Sequence, residues 1–196
     1  MAELVITVLE GRAIEAVLPD LAHLRITVFR EFPYLYQGSA DYETHYLRSY
    51  AASAEAVVVI VRDGAVVVGA STAMPLNQHS DAVAPPLERA GYAANDVYYL
   101  GESVLLPAYR GRGLGHRFFD DREAAARHLG YRYTTFCAVD RSTDHPLRPK
   151  DHQPHDAFWL KRGYQRRADI VTEFAWRDLG DDEETKKQMT FWLKEL

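Results

Sequence analysis

A single cysteine, Cys137, stands among 196 residues, so no intramolecular disulfide can form and a reducing compartment is expected. No apolar run approaches the roughly 18 residues of a membrane-crossing helix, which argues against a membrane protein. The opening residues Met1, Ala2, Glu3 and Leu4 lack the basic stretch and apolar core of a signal peptide, so a cytoplasmic location is expected. Basic residues are not in excess. With 23 Lys and Arg against 28 Asp and Glu, the formal net charge is -5, which argues against nucleic acid as a partner. Internal repeats and domain-separating linkers are missing too. One domain over residues 1–196 is therefore expected, long enough to bury a core without disulfide or metal staples.

What is there alternates between strand and helix patterns. Residues 4–9 are apolar and β-branched and predict a strand. From Ile14 the period becomes helical, with Leu18, Leu21, Leu24, Val28 and Phe29 on one face, until Pro33 and Gly38 break it. A second helix is expected over 41–52, with Tyr42, Tyr46 and Tyr50 spaced by four. Valine-rich strands at 56–62 and 65–73 flank Asp63-Gly64, a hairpin signal. Residues 75–95 are expected to form a loop with a short helical piece around Leu87. A strand at 97–106 leads to a helix at 113–129, whose core face would hold Leu114, Phe118, Ala125 and Leu129, with Gly130 as its C-terminal cap.

Beyond it a strand is expected at 131–139, a polar loop at 140–156, a short helix at 157–161 and a strand at 170–176. Residues 183–196 read as a final helix, its first turn acidic through Asp181, Asp182, Glu183 and Glu184. Met189, Trp192, Leu193 and Leu196 would form an apolar stripe on it, packing on its own domain or making a homodimer contact. The pattern as a whole is a mixed α/β domain.

Chemistry concentrates in one segment, Leu105-Leu106-Pro107-Ala108-Tyr109-Arg110-Gly111-Arg112-Gly113-Leu114-Gly115-His116. It runs from strand through tight turn to helix. Glycines at 111, 113 and 115 let the backbone approach a ligand, and a helix N-terminus adds its positive dipole end. Arg110 and Arg112 supply positive charge for phosphate oxygens. The segment therefore predicts an anion site for a nucleotide-like cofactor. It is not a Walker A loop, because Gly115 is followed by His116 and Arg117 instead of Lys and Ser or Thr. A dinucleotide fingerprint fails as well: the glycine spacing is wrong, and Gly130-Tyr131-Arg132 stands where an acidic ribose ligand belongs.

Arg110, Gly113 and Gly115 spell R-x-x-G-x-G after a strand ending in Leu-x-Pro, and this resembles the coenzyme A motif of the GNAT superfamily of N-acetyltransferases. Phe158-Trp159-Leu160-Lys161-Arg162-Gly163-Tyr164 is similar to that family's late helix, F-Y-x-x-x-G-F. The resemblance implies an α/β (α+β) fold with a mixed, mostly antiparallel central sheet flanked by helices. It implies acetyl-CoA as co-substrate and a primary amine, on a small molecule or peptide, as acceptor by direct attack in a ternary complex. Backbone groups of Val104, Leu105 and Leu106 would hold the pantetheine arm between splayed strands. The amides of Gly111, Arg112, Gly113, Leu114, Gly115 and His116 would hold the pyrophosphate. A CoA-binding sensor without turnover, or an acyltransferase for another acyl-CoA, would keep the same loop.

An alkyl amine with a pKa near 10 is neutral in only about one molecule in a thousand at pH 7, a deficit of about 4 kcal/mol that a general base helps recover. Glu102 is the only carboxylate on the strand before the loop, and burial would raise its pKa. The glutamate position usual in the family falls at Tyr99 instead, and Glu102 could simply pair with an arginine. Trp159 occupies the family's tyrosine position and is no proton donor, which leaves Tyr164 and Cys137 as candidate acids. His152 and His155 are reserve bases in a loop read as solvated or substrate-facing, and no metal site is expected. In the family the connection holding Tyr34 and Tyr36 lines the acceptor pocket, whereas Tyr42 reads as helix packing. Glu31 and Asp41 nearby could attract a cationic amine.

Overall fold

The structure, a computed structural model, describes residues 3–79 and 82–196. Met1, Ala2, Ser80 and Asp81, which belong to the N-terminal stretch and the 75–95 loop, lie outside them. In chain order the elements are β1 (Leu4–Glu10), α1 (Leu18–Phe29), α2 (Ala40–Ala52), β2 (Val57–Asp63), β3 (Val66–Pro75), α3 (Ala84–Arg89), β4 (Val97–Leu105), α4 (Leu114–His128), β5 (Tyr133–Val139), α5 (Asp156–Lys161), β6 (Gln165–Trp176) and β7 (Thr185–Glu195). The strands form one seven-stranded sheet in the order β1-β2-β3-β4-β5-β7-β6. Every neighbouring pair is antiparallel except β4 and β5. That exception follows from α4, since a parallel pair needs a crossover connection.

The valine run of β2 has no polar alternation because both faces of the sheet are covered. Val58 and Ile60 join a cluster with Leu21 and Leu24 of α1 and Leu47 and Tyr50 of α2. Val59 and Val61 pack with Leu114 and Phe118 of α4 on the other face. Between β2 and β3 the chain turns at Gly64, whose φ of +57° suits glycine. The buried face of α4 is shifted from the expected one. Leu114 and Phe118 are buried, together with Phe119, Arg122, Glu123 and Ala126, whereas Leu129 is 38% exposed. Gly130 does cap the helix with φ +84°.

The expected C-terminal helix is a strand. Residues 185–195 form β7, between β5 and β6. Met189, Phe191 and Leu193 point into a cluster with Tyr99 and Cys137, while Trp192 joins Phe136 on the opposite face. An apolar run buried on both faces carries no period of two, so the spacing 189, 192, 193 fits a helix equally well. The homodimer contact expected of that stripe loses its basis, because these side chains fill this sheet's own two faces. The acidic residues 181–184 belong to the turn before β7 instead of a helical first turn.

Candidate active site

β4 and β5 pair only at Val97↔Tyr133, Tyr98↔Thr134 and Tyr99↔Thr135. β4 continues to Leu105, still paired with β3 at Gly69, and β5 continues to Val139 with β7. Past Tyr99 the two central strands therefore split, and the β4 edge facing β5 has no strand partner. A bulge accompanies the split. Gly101 and Glu102 of β4 together oppose Thr72 of β3, between the pairs Ser71↔Ser103 and Ala73↔Leu100. A Cβ at Gly101 would lie 2.1 Å from Tyr50 Oη and 2.5 Å from Thr72 Oγ1, so only glycine fits there.

Arg122 of α4, wholly buried, braces the bulge. It donates to the carbonyls of Thr72 and Glu102 (both 3.1 Å), to Phe118 O and to Ser103 Oγ. Burial lowers its pKa to about 10, against the pull of Tyr164 and Glu102. The Glu102 amide donates to Thr72 Oγ1 at 3.2 Å.

The bulge leads Glu102 into a buried charge cluster. Its Oε2 accepts from Arg25 Nη1 at 2.5 Å, and Arg25 Nε also pairs with Glu43 of α2. The Arg25 guanidinium lies over the Tyr46 and Phe29 rings, 4.4 and 5.0 Å from their centroids. Two carboxylates thus share one guanidinium, and Oε1 of each, buried, has no hydrogen-bond partner among the described residues. Burial pushes the Glu102 carboxyl up, Arg25 pulls it down, and Glu43 adds to the rise; the net direction is upward. Arg25 is held above its ordinary value, because Glu102, Tyr46 and Glu43 outweigh its own burial.

Arg25 and Glu102 of this cluster form the floor of a cavity of about 440 Å³ that spans the split, with Tyr99 and Gly101 from β4 and Cys137 from β5 among its walls, while Glu43 does not line it. Tyr34 and Tyr36 line it, and so does Tyr42, which was expected to pack on its helix and is 57% exposed instead. The loop holding Tyr34 is pinned by Arg141, which donates to the carbonyls of Pro33 and Tyr34 (both 2.8 Å) and pairs with Asp178. Tyr36 bridges to Asp178. Trp176 Nε1 donates to Tyr34 O at 3.1 Å.

The glycine loop lies at the open end of the split. Gly111 and Gly113 take φ +73° and +79°, a conformation other residues adopt only with strain. α4 starts at Leu114 with Gly113 as N-cap and no side-chain cap. Among the described residues, the amides of Gly111, Arg112, Gly113, Leu114 and Gly115 have no backbone acceptor outside the helix, and a first helical turn offers none within it. The His116 amide bonds Gly113 O. Arg110 donates to Leu105 O and makes a two-pronged pair with Glu31 (2.8 and 3.0 Å), which takes Glu31 away from the role of lone amine attractor. Asp41 lies in the first turn of α2. Arg112 donates to Ala108 O and lies over Tyr109. Val104 is fully buried, and Leu105 and Leu106 are half-buried against Val68 and Phe118.

The other candidates divide by face. Tyr164 is 1% exposed and its hydroxyl is held by Glu123 (3.1 Å) and Thr134 (2.9 Å), in the α4-side cluster with Phe136 and Trp159. It does not reach the cavity. Cys137 does, but burial pushes its thiol up to about 12, against the hydrogen bond with Tyr99 Oη at 3.2 Å. His145 and His152 pack on Phe32, and His155 packs on Trp159. Among the described residues no three His, Cys, Asp or Glu side chains gather as a metal site. Sequence reasoning missed Arg25, Glu43 and Arg122. The available signals were Gly101 inside a strand and two arginines at core positions of α1 and α4.

A family model described as the acetyltransferase (GNAT) family matches residues 21–149. A ribosomal-protein-alanine N-acetyltransferase from Brucella melitensis aligns with a TM-score of 0.59 at 13% identity, covering 97% of this chain and 99% of that one. A protein from Salmonella typhimurium, solved with its cofactor acetyl-CoA, aligns with a TM-score of 0.60 at 12% identity over 98% and 94% of the two chains. An acetyltransferase from Thermus thermophilus aligns with a TM-score of 0.58 at 17% identity over 100% of both. At such identities the likeness is one of fold. No curated protein gives a significant match.

Proposed function

The chain belongs to the acetyltransferase (GNAT) family, and on that premise we propose that it moves the acetyl group of acetyl-CoA to a primary amine by direct attack within a ternary complex. The observation that carries this is the split between β4 and β5, which opens onto free loop amides at one end and onto buried Glu102 at the other. The donor set fits the cofactor. Five amides and an uncapped helix N-terminus suit a pyrophosphate, and the β4 edge left without a strand partner past Tyr99 suits a pantetheine arm, although the Leu106 amide is already bonded to Val68 O and Leu105 O to Arg110. When bound, acetyl-CoA supplies the thioester whose acetyl group the amine takes.

Glu102 acts on the acceptor. Its carboxyl lies in a water-poor floor where an ammonium beside a carboxylate is costly, so proton transfer to Glu102 leaves a neutral, nucleophilic amine. Arg25 keeps the carboxylate accessible by opposing the rise that burial causes. Tyr34 and Tyr36 form the acceptor wall. Of the hydroxyls lining the cavity, Tyr99 Oη stands at the apex of the split, bonded to Cys137 Sγ, and is the group suited to return a proton to the leaving thiolate. Trp159 packs between Phe136 and Trp192 and takes no part in proton transfer.

Calorimetric titration with acetyl-CoA tests the cofactor half, and free-thiol release with a panel of amines tests transfer. Micromolar binding lost on replacing Arg110 and Gly113, with thiol release that Glu102→Gln abolishes, is the expected result. Binding without thiol release for any amine would favour a CoA-binding sensor instead. That alternative draws on tryptophan standing at the family's tyrosine position.

A further inference from the structure

We infer that the acceptor is a small α,ω-diamine or polyamine, one nitrogen taking the acetyl group and a second, cationic nitrogen held at the cavity mouth. This rests on the acetyltransferase function proposed above. Both ends of the cavity carry carboxylates, and its lining as a whole has three of them against two guanidinium groups. At the floor, Glu102 faces the Arg25 guanidinium, which Glu43 behind it also holds, and Glu102 Oε1 is buried with no hydrogen-bond partner among the described residues. At the mouth, exposed Asp182 and Glu184 line the cavity together with Arg177. Neither Asp182 nor Glu184 forms an ion pair among the described residues.

Aromatic rings connect the two ends. Tyr34 lies against Phe29 (4.6 Å) and Trp176 (6.0 Å), and Tyr46 already faces the Arg25 cation. Ring faces attract ammonium groups and also pack against methylene chains. A slender chain with a nitrogen at each end matches this order of surfaces: carboxylate, rings, carboxylates. A carboxylate-bearing amine would set its negative end against Asp182 and Glu184. The volume of about 440 Å³ falls in the range of small-molecule pockets and suits a diamine better than a folded peptide segment.

The test compares kcat/KM for 1,4-diaminobutane, n-butylamine, 4-aminobutanoate and a lysine-containing peptide, using the full chain and acetyl-CoA. One exposed ion pair and one cation–π contact together predict about a tenfold preference for the diamine over butylamine. 4-Aminobutanoate should fall below butylamine. Combining Asp182→Asn with Glu184→Gln should shrink the diamine preference to about threefold or less, and added salt should shrink it in the intact protein. The acetyl-CoA affinity of that variant serves as the folding control.

Butylamine, 4-aminobutanoate or the peptide used as well as the diamine would overturn the inference while leaving acetyl transfer standing. No thiol release with any amine, acetyl-CoA still bound, would overturn acetyl transfer and the acceptor with it. A diamine preference that survives in the Asp182→Asn, Glu184→Gln variant would also overturn it.

Discussion

Replacing Gly101 by alanine puts a methyl group where β4 has no room for one. Its Cβ would lie 2.1 Å from Tyr50 Oη, 2.5 Å from Thr72 Oγ1 and 3.2 Å from Tyr50 Cζ. Favourable contacts between carbon atoms fall at about 3.5–4.0 Å, so the Tyr50 hydroxyl would have to retreat by about 1.4 Å. Tyr50 has nowhere to go: it is fully buried, its hydroxyl bonds Tyr46, and its ring stands edge-on to Tyr46 and His79. Overpacking of this kind costs about 1–3 kcal/mol. With a urea slope of about 2 kcal/mol per M, the midpoint of unfolding should drop by about 0.5–1.5 M.

Tyr50→Phe removes the atom at 2.1 Å. The double variant should therefore be more stable than the sum of the single effects by about 0.5 kcal/mol or more. The kcat should fall in Gly101→Ala as well, since the bulge aims Glu102, while acetyl-CoA affinity, proposed to be set at residues 111–115, should hold. An alanine variant with the parent's urea midpoint and kcat would refute a sterically determined bulge.

Glu102 should show opposite effects on stability and rate. Its folded pKa lies above the ordinary 4.5, so the folded state holds the proton more tightly. The stability this contributes is present below about pH 4.5 and declines as pH rises through the raised folded value. Glu102→Gln should therefore gain on the parent in urea titrations at pH 8 relative to pH 4, and a gain independent of pH would count against the assignment. The parent's kcat/KM should rise with pH through an acid limb above the usual carboxylate range, because the base works deprotonated. A limb at ordinary carboxylate pH would remove Glu102 from the base role. Arg25→Met leaves Glu43 and Glu102 buried without their shared cation and should destabilise by about 3–5 kcal/mol in the same assay. A loss under about 1 kcal/mol would mean that water reaches the cluster.

Residues 105–116 announced a glycine turn leading into a helix because the requirements are local. Positive φ at Gly111 and Gly113 and a helix start at Leu114 depend on backbone sterics over a few residues. The turn at Gly64, the strands around it and the cap at Gly130 were legible for the same reason. The two-sided burial of β7 was not, since an apolar run without alternation reads as strand or helix until its neighbours are known. Likewise the Arg25, Glu43 and Glu102 cluster joins α1, α2 and β4, and no spacing in the chain records that meeting. The sequence by itself determined the glycine turn and helix start that we propose as the seat of a nucleotide-like anion. Only tertiary packing decided where the strands part, which carboxylate faces the gap and what charge the cavity presents, because those depend on contacts between residues far apart along the chain.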